Sequence, residues 1–284
     1  MKLLPMRFRE TQSQWFAKRG ISWHFSAVFH KSNHPDGPVV YASEHTIRTY
    51  VVAIDSCKLD WFSVSCKLEE VLVRVKKWHQ SVFRAILRSD NAGCYHCSAL
   101  LSTINSTSRR SGIEVIRYDF CDPQSAKDLC DRKIAPWKQR LRYVAEKNVE
   151  SAKDIKKGLG SLPGIAGMSV AECKIDQSVM SVGAANNKIS GITKYSNSSM
   201  TSKSMRVWHA YNVGEGLDIK RSWNEQRCLR AQKNWGLDEI HKRNARQREN
   251  AMSLSVSILL AALNLLVLPP SRQLRSGQGH NNLN

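Results

Sequence analysis

The stretch Phe83-Arg84-Ala85-Ile86-Leu87-Arg88-Ser89-Asp90-Asn91-Ala92-Gly93-Cys94-Tyr95-His96 decides how the rest of the chain is read. A mainly apolar run, Phe83–Leu87, ends in Arg88-Ser89-Asp90 and turns on Asn91-Ala92-Gly93. Such a run, closed by turn residues, predicts a buried strand. Asp90 then stands at its carboxyl end, where open α/β sheets present catalytic and binding groups. A second acidic candidate, Asp131, follows in DPQSAKDLCDR, early in a basic helix.

Working outward on the amino-terminal side, Ile21–Phe29 (ISWHFSAVF) and Thr46–Ile54 (TIRTYVVAI) read as two strands of a hairpin, with a polar turn around Pro35. Leu68, Val71, Leu72, Val75 and Trp78 recur at helical spacing, so Ser65–His79 is expected to be an amphipathic helix. On the carboxyl side, Cys97–Ser108 reads as a helix with Leu100, Leu101 and Ile104 inward, and Ile113–Phe120 as the next strand. A long basic helix is expected from Ser125 to about Asn148, kinked or interrupted near Pro136.

Strand, strand, helix, strand, helix, strand, helix is the RNase H order with its first strand missing. The expected fold is α/β: an RNase H-like mixed sheet flanked by helices, followed by a largely irregular or helical C-terminal part. Met1-Lys2-Leu3-Leu4-Pro5 looks like the tail of that first strand. Nucleases of this fold hold two divalent ions about 3.5–4 Å apart. Mg2+ or Mn2+ requires oxygen donors, which is why such a site is built from carboxylates. Asp90 has the right position, although Asp-Asn-Ala-Gly is also good turn chemistry. Asp131 competes with Asp122, which suits the turn before Pro123, and with Asp128, which suits a first helical turn. Lying one turn deeper, Asp131 is the choice. Asp55 and Asp60 read as turn residues.

The charge balance points to a partner. The 284 residues carry 43 Lys and Arg against 24 Asp and Glu, a formal charge of +19. So strong a bias favours a polyanion, nucleic acid before an anionic membrane surface. Lys127, Arg132, Lys133, Lys138, Arg140 and Arg142 crowd the basic helix beside the expected site. The hydrophobic fraction of 42% is slightly low, so part of the chain is expected to lie outside a core. Of the eight cysteines, Cys94 and Cys97 flank His96 at C-x-x-C spacing, but no second pair completes a zinc site. Buried reduced thiols beside a strand end are the better reading.

The strings WFAKRGISWH (15–24), IDSCKLDWFSV (54–64), LRSDNAGCYH (87–96) and GIEVIRYDFCDPQSAKDLCDRKIAPWK (112–138) together resemble a group of transposon-derived animal proteins of the DDE transposase type. The similarity covers residues 1 to about 160, with a weaker echo at MRVWHAYNVGEG (205–216). The resemblance implies a catalytic, metal-binding aspartate at Asp90 and a further acidic position at Asp131. Two departures stand out. Ala126 precedes Lys127 where the related proteins have glycine, and the family's first aspartate sits on a strand just upstream of a segment like MKLLPMRFRE, with which this chain begins. The core, 1–150, is therefore expected to be truncated at its amino end.

Beyond it, 151–216 reads as a partly disordered linker with a strand-like island at Met205–Val213, because its Ser, Gly and Asn offer little apolar surface. The last part, 217–284, reads as a basic helical segment, an apolar helix over Ala251–Leu268 and a disordered tail; eighteen uncharged residues also make a marginal membrane span. Three functions remain open. The first is a nuclear, DNA-binding relic of a two-metal strand-transfer enzyme, acting as a homo-oligomer. The second is a working metal nuclease with a substitute carboxylate such as Asp55. The third is a basic membrane-associated protein anchored through 251–268.

Overall fold

The computed structural model describes residues 2–3, 21–31, 45–55, 60–121, 129–145, 149–160, 167–180, 182–201, 204–220, 230–236 and 254–261. The elements around the Asp90 stretch follow the sequence pattern closely. Strands β1 (Lys2–Leu3), β2 (Ile21–Lys31) and β3 (His45–Ile54) come first, then helix α1 (Trp61–Trp78), β4 (Val82–Ser89), α2 (Ser98–Ser111), β5 (Glu114–Phe120), α3 (Leu129–Ala145) and α4 (Ala152–Gly160). Then come β6 (Met168–Ile175), β7 (Asn197–Met200), β8 (Ser204–Trp208), β9 (Leu217–Lys220), β10 (Arg230–Gly236) and β11 (Leu254–Ala261).

Local chemistry sets the helix ends. Asp60 opens α1 by accepting from the Ser63 backbone N–H at 2.8 Å, while the Asp60 N–H donates to Ser63 Oγ at 3.2 Å, a reciprocal cap. Lys76 closes the helix by donating to the carbonyls of Gln80 and Val82. In α2, rich in Ser and Thr, the hydroxyls of Ser102, Thr103 and Ser106 donate back to carbonyls three residues earlier. These three hydroxyls are thus satisfied inside a buried helix. Pro136 lies inside α3 rather than ending it.

The strands form one mixed sheet, ordered β10-β6-β3-β2-β11-β4-β5-β7-β8-β9, with β1 also paired to β2. β2 and β3 are antiparallel; β4 and β5 are parallel and joined through α2. Alternation along β2 divides the core. Trp23, Phe25 and Ala27 join Ile134, Trp137 and Leu141 of α3 and Ile155 and Leu159 of α4. Trp23 and Trp137 stack at 4.2 Å between ring centroids. On the other face Val28 packs with Tyr50, Val52, the apolar side of α1, Ala85 and Leu87 of β4, and Leu100, Leu101 and Ile104 of α2.

The centre of the sheet departs from the expectation. β11 runs antiparallel to β2, from Val256 opposite His30 to Ala261 opposite Phe25, and parallel to β4, from Leu254 opposite Val82 to Leu259 opposite Arg88. β1 continues the same column, with Lys2 opposite Ser22 and Leu3 opposite Ile21. Ser22 also pairs with Ile54 of β3, so β1 and β11 both lie on the other flank of β2. The place expected to be missing its strand is therefore filled by β1 and β11, which are far apart in sequence. The apolar helix expected over 251–268 is corrected accordingly: Leu254–Ala261 is a strand. Apolar runs of this length suit either conformation, and a vacant position with a hydrogen-bonding partner on each side selects the extended one. Among the described residues no helix is long and apolar enough to cross a membrane.

The stretch 151–216, expected to be partly disordered, contributes β6, parallel to β3, and β7 and β8, which extend the sheet beyond β5. In the segment expected to be basic and helical, Arg230–Gly236 is instead a strand paired with β6.

A candidate site at the carboxyl edge of the sheet

Because β4 and β5 run together and β2 runs against them, one edge of the sheet gathers the ends of β4 and β5 and the start of β2. Helix α3 follows β5 in sequence. Asp90 leaves β4 here, half-buried, with Oδ1 accepting from the Ala92 backbone N–H at 3.2 Å. Burial raises its carboxyl to about 6, against the opposing effect of that N–H. The turn reading of Asp90 therefore holds, and it does not compete with a role at the edge.

Around Tyr95 lies a buried polar cluster. Tyr95, 1% exposed, shares a 2.7 Å hydrogen bond with His24 Nδ1 of β2, also 1% exposed. Lys67 of α1, equally buried, donates from Nζ to Ser22 Oγ at 3.0 Å. Burial, and then the charge of Lys67, hold His24 well below the usual histidine range, so it meets Tyr95 as a neutral imidazole. Burial and then Asp90 push the Cys94 thiol up, with Lys67 opposing. Ser22, His24 and Ser26 were open to discovery in the sequence, since they alternate with Trp23, Phe25 and Ala27. Alternate polar residues on a strand facing a helix mark a polar face, but only the fold shows that it is buried.

Asp131 stands half-buried in the first turn of α3. Cys130, which precedes it, is buried with Ile134 and Trp137 in the core beneath β2. Burial, then Cys94, Tyr118, Asp90 and Cys130, raise the Tyr95 hydroxyl well above the usual range. Asp55, the substitute carboxylate of the nuclease reading, accepts from the Ala152 backbone N–H at 2.6 Å and so caps α4. Asp122 and Asp128 lie outside the described residues.

Two divalent ions need a convergent set of oxygen donors. Among the described residues no three His, Cys, Asp or Glu side chains are grouped to hold a metal. Among the described residues Asp90 and Asp131 are the carboxylates read as ligands, and two carboxylates alone do not fit the donor set of a Mg2+ or Mn2+ pair. The C-x-x-C zinc arrangement is not formed either. His96 stacks on Phe120 at 3.8 Å, its Nε2 lies 3.0 Å from the Ile192 carbonyl, and its Nδ1 meets the Asn91 side chain. Both ring nitrogens are thereby committed, and burial pushes the Cys94 and Cys97 thiols up, away from the thiolate form.

Helices α3 and α4 present cations. Arg132 and Lys133 are exposed and Lys138 and Arg140 partly exposed on α3, outside the buried stripe of Ile134, Trp137 and Leu141. Lys153 and Lys157 are exposed on α4, with Lys156 at their flank. These three lysines are an addition to the residues read as nucleic-acid contacts, and their i, i+3, i+4 spacing was the available signal. Asp154 of α4 is turned to its own helix start, accepting from the backbone of Glu150 and Ser151. Arg142 lies within α3, its side chain outside the described set, and Lys127 lies outside the described residues. Arg84, Arg117 and Arg206 on β4, β5 and β8 are matched by Glu114, Asp119 and Asp218.

No family model matches the chain, and no curated protein or solved structure matches it.

Proposed function

We propose that the protein is a transposase-derived nucleic-acid-binding protein that has kept an RNase H-like frame without the nuclease chemistry. The frame is supported by the sheet order β3-β2-β11-β4-β5, with an antiparallel pair on one side and a parallel pair on the other. The binding reading rests on one observation above all: the packed helices α3 and α4 carry exposed Arg132, Lys133, Lys153 and Lys157. Lysines and arginines on two packed helices can follow a phosphate backbone, with neutralised phosphates releasing counterions. DNA is the partner, the nucleus the compartment, and contact is with the backbone rather than with base edges.

The inactive reading is supported by the donor set. β11, LSVSILLA, brings no carboxylate to the centre of the sheet, and Asp55 is taken by α4. Among the described residues, Asp90 and Asp131 would be left to meet a divalent ion.

Fluorescence anisotropy with a labelled duplex across a salt series tests the binding. The logarithm of affinity should fall steeply and linearly with that of salt. An affinity flat between low and moderate salt rules the reading out. In parallel, incubation with Mg2+ or Mn2+ should give no cleavage that Asp90→Ala removes; Asp90-dependent cleavage by the chain itself would show a working nuclease.

A further inference from the structure

The central column of the sheet is built in an unusual way. β11 is the last described strand in sequence, yet it lies between β2 and β4, which belong to the first third of the chain. Its nearest described neighbour in sequence, β10, lies four strands away at the edge of the sheet. Among the described residues, β11 is held by its two ladders, to β2 and to β4, rather than by a strand or helix next to it in sequence. Without it, β2 and β4 would face each other as two open edges in the middle of the molecule.

Four strand spacings amount to about 19 Å. Residues 237–253, which join β10 to β11, can span about 56 Å when extended. The tether therefore reaches well beyond the slot it has to cross to. The segment itself, LSVSILLA, is uncharged and contains Val256 and Ile258, so it favours strand pairing wherever a partner edge is open. Every copy of the chain carries both the slot and the segment that fits it.

We propose that the slot between β2 and β4 is a strand-accepting groove, and that two copies of the chain exchange C-terminal strands, residues 254–261 of each entering the slot of the other. The exchanged assembly makes the same hydrogen bonds as the closed chain, so it costs little beyond bringing two copies together. Seventeen residues between β10 and β11 are enough for the segment to enter either its own slot or that of a second copy. Dilution favours the closed chain, concentration the exchanged pair.

The register supplies the test. Ser257 lies opposite Ile86 of β4, and paired residues on neighbouring strands have Cα separations that suit a disulfide. The double variant Ile86→Cys/Ser257→Cys, oxidised at low protein concentration, should form a bond within one chain between the introduced thiols, identified by peptide mass mapping. The two single variants, mixed, unfolded and refolded together at high concentration, should give a bond between chains joining the same two positions. Only exchange can bring those thiols together, and each single variant alone controls for the native cysteines. Failure of the double variant to cross-link shows that 254–261 does not fill the slot. A double variant that cross-links, beside a mixture that gives no inter-chain bond between the introduced thiols, overturns the exchange.

Discussion

Asp90 shows how one residue can be legible in position and illegible in energy. The sequence puts it at a strand end and in a turn, and both hold, but nothing in RSDNAGCYH reveals that His24 and Lys67, from distant parts of the chain, lie buried around its Tyr95. Its raised carboxyl has a direct consequence. Between the unfolded value near 3.8 and the folded value of about 6, the native state holds the proton more tightly than the unfolded chain. Stability from this group therefore falls as pH rises through that window and stays lower above it. Asp90→Asn keeps an oxygen for the Ala92 N–H and removes the charge. It should leave stability near pH 4 unchanged and raise it at pH 7 by about 1 kcal/mol, after discounting for solvent on the open side. Urea denaturation across the pH range measures the difference, which also cancels the contribution of buried His24 and His96; equal stability of the two proteins at pH 7 would refute it. Gly216 is a second residue whose role is set by one neighbour. With φ at +70°, it passes so close to Trp208 that an added Cβ would lie 2.5 Å from Nε1. Gly216→Ala should cost about 2 kcal/mol through strain and displacement of the indole, seen as a lower denaturation midpoint.

At the scale of elements, what the sequence reveals depends on how local the stabilising forces are. Helices α1 and α2 declare themselves through apolar spacing and caps, and β2 to β5 through alternating or continuous apolar runs. The region 151–216 misleads because its serines read as solvent-seeking. In β7, Ser198 Oγ donates to the Tyr118 carbonyl at 2.8 Å and Asn197 donates to Asp119, so small polar residues dock a short strand onto β5. No composition argument contains that partner. Helix α3 is legible on both sides, apolar toward Trp23 and basic toward solvent. Two substitutions should separate those sides. Trp137→Ala empties a fully buried site and removes the stack on Trp23, so it should cost about 3–5 kcal/mol in thermal or denaturant unfolding. Arg132→Ala/Lys133→Ala should change stability by less than about 0.5 kcal/mol. In the duplex-binding experiment it should reduce the salt slope by roughly two, one for each phosphate that is no longer neutralised. A slope unchanged by the double substitution would remove α3 from the interface.

For the whole molecule, the decisive arrangement is that strands from the first and last parts of the sequence share the central column. Periodicity within LSVSILLA could not reveal this, because the reason it is extended lies in β2 and β4, the open edges that receive it. Such a sheet cannot close until residues 254–261 have been made, and its central pairings span most of the sequence. Closing loops of that length comes late and slowly compared with the local β2–β3 hairpin or the α1–α2 pair. A chain ending at Asn250 should therefore retain helices and part of its strand signal while losing cooperative unfolding, with exposed edges promoting association. Far-ultraviolet circular dichroism and a denaturant titration would show residual structure without a sharp transition. Adding a peptide of residues 251–268 should restore the transition, because its strand finds the slot ready on both sides. If the shortened chain instead unfolds in one sharp step at the midpoint of the full chain, β11 contributes nothing to closure and the central column is held by other means.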